Sequence, residues 1–400
     1  MKHILVIDGF IPVHLKLQEL GARLTIICET GRIKGKYPNL YYRVIQVPWE
    51  STHEERISLA KAIHIIDPFD SIVNAHENNQ YLTSKIAIEL GLRYHSLECI
   101  EKIYNKEKMR LALNKAGLDT TIGMKVTNKK DLDLFASKHG YPVVIKPSDG
   151  WASKGVSIVK NKLELEEAIS WFNDSEYEQL YVEEYICGKE YSIECFTENK
   201  INKVVAITEK FKTNKHCIEI GQCDIANLDE HTIKNIEVFM DKFISIMGIA
   251  YGPSHTEVII QDDNCIKVIE THCRLGGDNI HLLVNNALGI DMIDLWARQI
   301  LGECIIKKIH PIKNKYSAIW YIISDQVGKV DFIPDFKKFE SNNLEININK
   351  NVGDMVKELK DSYSRLGYVI VTGDKYEETI NKAREMASLL KEQIDIVKVY

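Results

Sequence analysis

The stretch "IETHCRLGGD", residues 269–278, sets Glu270, His272, Cys273, Arg274 and two glycines close together. Glu257 lies upstream in "SHTEVIIQDDNCIKVIETH", which reads as a hairpin turned at Asp262, Asp263 and Asn264. Glu257 and Glu270 sit at similar distances from that turn on opposite strands, so they are expected to be cross-strand neighbours. Two carboxylates that close repel unless a cation lies between them. Hard oxygen donors of this kind suit magnesium held with nucleotide phosphates. Arg274, four residues on, is able to balance a developing negative charge. A zinc site is the weaker reading. His272 and Cys273 are adjacent, and strand neighbours point to opposite faces. His255, Cys265 and His281 show no zinc-ligand spacing. Cys273 is expected to be a packed side chain.

A second group precedes this one. The loop "PSDGWASKG" (147–155) lies between two apolar strands and carries Ser148, Ser153, Lys154 and Gly155. Successive backbone N–H groups in such a turn are able to cradle phosphate, although an ordinary hairpin loop has the same composition. It is not a Walker loop, which needs Gly-Lys-Ser/Thr followed by a helix. Lys146 closes the strand before the loop, and Lys106 opens an upstream helix. Two lysines could therefore converge on a polyphosphate from opposite sides.

The elements around these residues are legible. Apolar runs at 4–8, 23–28, 43–47 and 71–75 read as strands, and 54–66 and 80–92 as helices. Their alternation implies a parallel sheet with helices on its faces. No Gly-x-Gly-x-x-Gly follows the first strand, which argues against a dinucleotide there. The segments 180–196, 203–211 and 254–272 are β-rich, 229–248 is a long amphipathic helix, and helices are expected at 276–288 and 291–301. The last hundred residues read as a small α+β unit. The expected division is 1–100, 101–302 with a lid subdomain at about 120–187, and 303–400. The chain has 400 residues, a formal net charge of −6 and 45% hydrophobic residues, a soluble globular composition without the basic excess of a nucleic-acid binder. The absence of a long apolar N-terminal run or spanning segment, with nine scattered cysteines, gives the expectation of a cytoplasmic protein with reduced thiols, no membrane partner and no nucleic-acid partner.

Lys106, Lys146 with its loop, "YVEEYICGKE", "HTE" and "IETHCRLGGD" occur in an order and spacing that resembles the ATP-grasp superfamily. "GPSHTEVII", "IETHCRLGGDNIHLLVNNALGIDMIDL" and "RLGYVIVTGDKYEETINKAREMA" most resemble its L-amino acid ligase, or dipeptide synthetase, branch. The resemblance implies an α/β ATP-grasp architecture, with an N-terminal Rossmann-like parallel-sheet domain, central ATP-grasp domains and a small C-terminal α+β unit. It implies that Lys106 and Lys146 contact ATP phosphates and that 149–155, with Ser148, Ser153 and Gly155, forms a lid over them. Glu183 to Ile186 would face the adenine, through the backbones of Glu184 and Ile186, and Glu190 would hold the ribose. Glu257 and Glu270 would hold magnesium, with manganese able to substitute. Arg274, Lys146 and Gly277 would be catalytic.

The departures concern the substrates. His272 stands where many relatives have Asn, and Gln222, in "EIGQ", where members of this branch often have His. Glutamine hydrogen-bonds but takes no proton near neutral pH. "LGGDNIHLL" lacks the pattern of biotin carboxylases, which argues against bicarbonate chemistry. Asp278 would either favour a cationic amine or complement a helix N-terminus. Glu77, in "NAHENNQ" at the C-terminal end of a strand, sits where parallel sheets bind ligands and is a candidate substrate contact.

The expected chemistry is an ADP-forming ligation of a carboxylate and an amine through an acyl phosphate, joining amino acids. The same chemistry on a carrier protein or a specialised natural-product intermediate is the alternative. A nucleotide-binding module without turnover is a third. A homodimer is implied by family likeness only.

Overall fold

The computed structural model describes residues 1–33, 39–148, 150 and 152–398. The chain opens with β1 (His3–Ile7), α1 (Ile11–Glu19), β2 (Arg23–Glu29), β3 (Arg43–Val47), α2 (His53–Ile66), β4 (Ser71–Val73) and α3 (Gln80–Leu90). The four strands form a parallel sheet in the order β3-β2-β1-β4. Alternation along β1 divides the core between the two faces. Leu5 and Ile7 pack towards Ala60 of α2 and Leu82 and Ile86 of α3. Ile4 and Val6 belong to the core that also holds Val13 and Leu17 of α1. That second core continues into residues 280–300, so the first hundred residues are not closed on themselves.

Helices α4 (Leu97–Tyr104) and α5 (Lys106–Lys115) lead into the lid. The lid comprises β5 (Gly123–Val126), α6 (Lys129–His139), β6 (Val143–Pro147), β7 (Ser157–Val159), α7 (Leu165–Asn173) and β8 (Leu180–Glu184). Its antiparallel sheet runs β5-β8-β6-β7, with Phe135 and Phe172 of the two helices packed on it.

The central elements are β9 (Lys189–Glu198), β10 (Ile201–Lys212), β11 (Glu219–Asp224), α8 (Glu230–Met247), β12 (Tyr251–Ile260), β13 (Ile266–His272), α9 (Ile280–Leu288) and α10 (Met292–Ile300). Asp229 caps α8 by accepting from Thr232 N at 2.9 Å, and Gly248 ends it at φ +81°. The apolar stripe Ile236, Met240, Phe243 and Met247 then packs on the sheet beneath.

The C-terminal elements are β14 (Tyr316–Ile322), β15 (Gly328–Phe332), β16 (Leu344–Ile348), β17 (Met355–Val356), β18 (Gly367–Gly373), α11 (Tyr376–Glu392) and β19 (Asp395–Val397). Three of these strands complete the central sheet, which runs β13-β12-β9-β10-β11-β14-β18-β16. The small C-terminal α+β unit is therefore present, but its sheet is continuous with the one before it. At the junction Gly221 pairs with Trp320, and a Cβ on Gly221 would fall 2.3 Å from that indole. The remaining strands form a separate sheet, β17-β15-β19. Among the described residues, no helix is long and apolar enough to cross a membrane.

Candidate active site

The hairpin β12–β13 closes with Gln261 N on Cys265 O at 3.0 Å, and its register sets Glu257 opposite Glu270. Lys210 donates to Glu257 and also to Glu219. His255 Nε2 lies 3.3 Å from Glu257 Oε1. Across the pair, Lys106 Nζ is 3.8 Å from Glu270 Oε2 and His272 Nε2 is 3.2 Å from Glu270 Oε1. Burial alone would raise the Glu257 carboxyl, yet Lys210 and His255 hold it at about 2 against the repulsion of Glu270. Burial likewise opposes ionisation of Glu270, and His272, Lys106 and Lys146 overcome it, leaving this carboxyl well below its usual range. Both groups are thus ionised oxygen donors facing one gap, a donor set that fits a hard divalent cation.

Lys146, at the end of β6, donates to Glu183 on the neighbouring strand β8. Glu183 also accepts from Arg110 NH2 at 3.0 Å. Arg110 continues to Asp119 Oδ2 at 3.3 Å and to the carbonyl of Val268 at 2.6 Å. This buried chain of charges ties the lid, α5 and β13 together. Burial pulls the Lys146 ammonium below its ordinary range, with Arg110 and Lys106 adding to the effect and Glu183 opposing it. The side chain of Glu183 therefore positions Lys146 at the wall of the cleft. Lys106 opens α5 behind the cap Asn105 and reaches the carbonyls of Ser148 and Gly150, both at 3.4 Å.

A cleft of about 920 Å³ joins these groups. Lys106, Lys146, Ser153, Glu183, Glu184, Ile186, Glu190, Glu257 and Glu270 all line it. Val144, Ile158, Ile186, Ile259 and Ile269 give it apolar walls at which a planar base fits. Glu190 accepts from Lys212 within the cleft. Ser148 meets the site through its carbonyl, the acceptor for Lys106, and its own N–H is engaged by Gln179 O at 2.8 Å. Ser153 donates to Cys217 O at 2.8 Å, which holds the loop against the segment before β11. Gly155 has φ +77°, and a Cβ there would come 2.7 Å from Ser175 Oγ. It shapes the turn and does not line the cleft. Asp149 and Trp151 of the expected lid lie outside the described residues.

A second cavity of about 730 Å³ shares Lys106, Gly150 and Glu270 with the cleft and is lined further by Glu77, Tyr104 and His272. Glu77 follows β4. His272 Nδ1 lies 2.7 Å from its Oε1, and Arg274 Nε donates to its Oε2. Burial would raise the Glu77 carboxyl, but His272 and Arg274 hold it far below the usual range. His272 therefore bridges Glu77 and Glu270. Arg274 also donates from NH1 to Leu275 O at 2.8 Å. Gly277 leaves open space where a Cβ would stand and accepts from Ile280 N at 3.0 Å.

Asp278 and Gln222 line neither cavity but sit behind Glu219, which lines the cleft. Asp278 Oδ2 accepts from Arg365 NH1 at 2.8 Å, so its charge is paired internally, one residue before the N-terminus-capping position of α9. The N-cap of α9 is Asn279. Gln222 is buried and donates to Glu219 Oε2 at 2.7 Å. Lys210, Glu219 and Arg365 thus form a charged group beside Glu257 that sequence reading did not single out. For Lys210 and Lys212 a signal existed, since "EKFK" puts both on one face of a strand. Arg110 and Arg365 gave none, because their partners are remote in sequence. Neither did the convergence of His95, Cys99 and Cys273, whose ligand atoms all lie within 4.8 Å of one another.

The chain matches the family described as "ATP-grasp domain" over residues 139–281 and that described as "L-amino acid ligase C-terminal domain 2" over residues 320–395. An uncharacterised protein of Sinorhizobium fredii is 23% identical over 307 residues, 75% of this chain and 63% of its own length. The alanine–anticapsin ligase of Bacillus subtilis is 26% identical over 234 residues, 53% of this chain and 50% of its own. The chain thus spans half to under two thirds of the length of these curated relatives. The fold is similar to that of an L-amino acid ligase from Bacillus licheniformis, with a TM-score of 0.83, 22% identity and coverage of 100% of this chain and 99% of the other. The two matches follow one another along a chain whose fold is alike from end to end: it carries an ATP-grasp domain and, after it, an L-amino acid ligase C-terminal domain.

Proposed function

We propose that the protein is an ADP-forming carboxylate–amine ligase that joins amino acids. The observation that carries this reading is one cleft in which Lys106 and Lys146 face the cross-strand pair Glu257–Glu270, and which adjoins a cavity lined by Glu77, the partner of Arg274. The first step would be attack of a substrate carboxylate oxygen on the γ-phosphorus of ATP, breaking its bond to the β–γ bridging oxygen and releasing ADP. The second would be attack of an amine on the acyl carbon, with loss of phosphate and of one amine proton. Glu257 and Glu270 would hold magnesium, or manganese in its place, which neutralises phosphate charge when bound. Lys106 and Lys146 offset negative charge on the transferring group, and Glu183 keeps Lys146 aimed at it. Arg274 would act at the substrate end, where its hydrogen-bond partner Glu77 lines the second cavity. The loop after Lys146 excludes water, which would otherwise hydrolyse the acyl phosphate.

The test is incubation of the protein with ATP, magnesium and pooled amino acids, following ADP, AMP and phosphate together with product masses. ADP and phosphate that depend on particular amino acids, with a condensed product, are expected. AMP and pyrophosphate would overturn the acyl-phosphate route. ATP turnover that requires a carrier-bound acceptor would overturn the free amino acid as acceptor while keeping the first step.

A further inference from the structure

Three soft-metal donors meet away from the acidic pair. His95 lies between α3 and α4, Cys99 in the first turn of α4, and Cys273 one residue beyond β13. They are 7%, 1% and 2% exposed, and one ligand atom from each falls within 4.8 Å of the other two. Thiolate and imidazole around zinc at about 2.3 and 2.0 Å lie roughly 3.5–3.8 Å from one another, so a small inward movement closes the group on an ion. His95 Nδ1 is buried without a well-formed hydrogen bond among the described residues, and Cys99 Sγ lies within reach of both the His95 ring and Cys273. Cys99 and Cys273 belong to a core with Ile103, Met109, Met247 and Ile249, where unpaired polar groups are costly.

We infer that His95, Cys99 and Cys273 bind a zinc-class divalent cation, separate from the magnesium site proposed above. Two thiolates and a neutral imidazole neutralise a divalent ion within an apolar core. One tetrahedral corner remains for an oxygen ligand. A Cys99–Cys273 disulfide would use the sulfurs and leave the histidine without a role, whereas a metal accounts for all three donors. The site would be structural. Cys273 stands between His272, which bridges Glu77 to Glu270, and Arg274. A metal there fixes the segment that orients both side chains and fastens it to α4.

The test uses the full chain purified without chelator and dialysed against metal-free buffer containing magnesium. About one zinc per chain is expected to remain, and to be released when a mercurial blocks the thiols. Cobalt in place of zinc should give a thiolate-to-cobalt charge-transfer band, a signature the oxygen site at Glu257 and Glu270 does not produce. Cys99→Ser should lose the band and the retained zinc, whereas Glu270→Gln should keep both. If Cys99→Ser does not fold, the wild-type cobalt spectrum and metal content still decide. Protein that retains no zinc and gives cobalt no charge-transfer band would overturn the proposal. So would a mass two hydrogens lighter that maps to a bond between Cys99 and Cys273.

Discussion

At the scale of the residue, the cleft holds charges ionised in a buried place. Glu270 lies opposite Glu257 and is kept deprotonated by His272 and the two lysines. Glu270→Gln retains the shape and removes the anion, so kcat should fall by at least about 10²–10³-fold with the fold intact. Steady-state rates and circular dichroism check this, and an unchanged rate would remove the magnesium assignment. Glu183 plays a different part, because it neutralises Lys146 and Arg110 inside the protein. Glu183→Gln should lower stability by about 3–5 kcal/mol, since it leaves the buried Lys146 without its carboxylate and Arg110 with Asp119 alone. An unaltered denaturation midpoint would contradict that role. The acidic pair and both lysines were legible because a hairpin turn and a strand end fix their places locally. The partners that hold them were not. Arg110 reaches Glu183 across 73 residues of sequence, and His272 reaches Glu77 across 195. The pairing of Asp278 was hidden for the same reason, since its partner Arg365 comes from the C-terminal unit.

At the scale of the element, the lid is joined to the central sheet through Gly188, between β8 and β9. Its φ is +150°, and a Cβ there would lie 2.4 Å from the carbonyl of Ile260 at the end of β12. Gly188→Ala therefore faces both a disfavoured backbone and a fixed peptide. It should destabilise the protein by roughly 1–3 kcal/mol and weaken binding of an ATP analogue, because the cleft lies across this junction. Calorimetric melting and titration check the two effects, and a variant with wild-type values in both would show that the junction does not need glycine. Most strands and helices were plain from periodicity, but β5, α6 and α7 of the lid were not singled out. What periodicity concealed was which sheet a strand joins. Tyr316–Ile322 read as part of a small terminal unit, yet it pairs with β11 because Gly221 leaves room for Trp320.

At the scale of the whole molecule, the parallel-sheet domain, the ATP-grasp core and the C-terminal strands share their packing, and one buried carboxyl at their centre makes stability depend on pH. Burial raises Asp224 from 3.8 to about 8; Thr208, 3.2 Å away, opposes the rise and Glu194 adds to it. The folded chain thus keeps a proton here that the unfolded chain releases above its ordinary value. This contribution is complete below about pH 3.8 and is lost as the pH rises towards about 8. Asp224→Asn is neutral throughout, so its stability relative to wild type should increase from mildly acidic to neutral pH, by up to about 1.4 kcal/mol per unit. Urea denaturation across that range checks the slope, and a pH-independent difference would refute it. Apolar alternation cannot announce such a group, because the sequence shows an ordinary Asp at the end of a strand.

The central claim is that a substrate carboxylate is activated as an acyl phosphate in the cleft between Lys146 and Glu270. Its most direct test is turnover of an amino acid whose carboxylate carries heavy oxygen, followed by mass analysis of the inorganic phosphate. Transfer of one labelled oxygen to phosphate is the predicted result. Label that appears in AMP, or phosphate that stays unlabelled while the amide forms, would contradict the account.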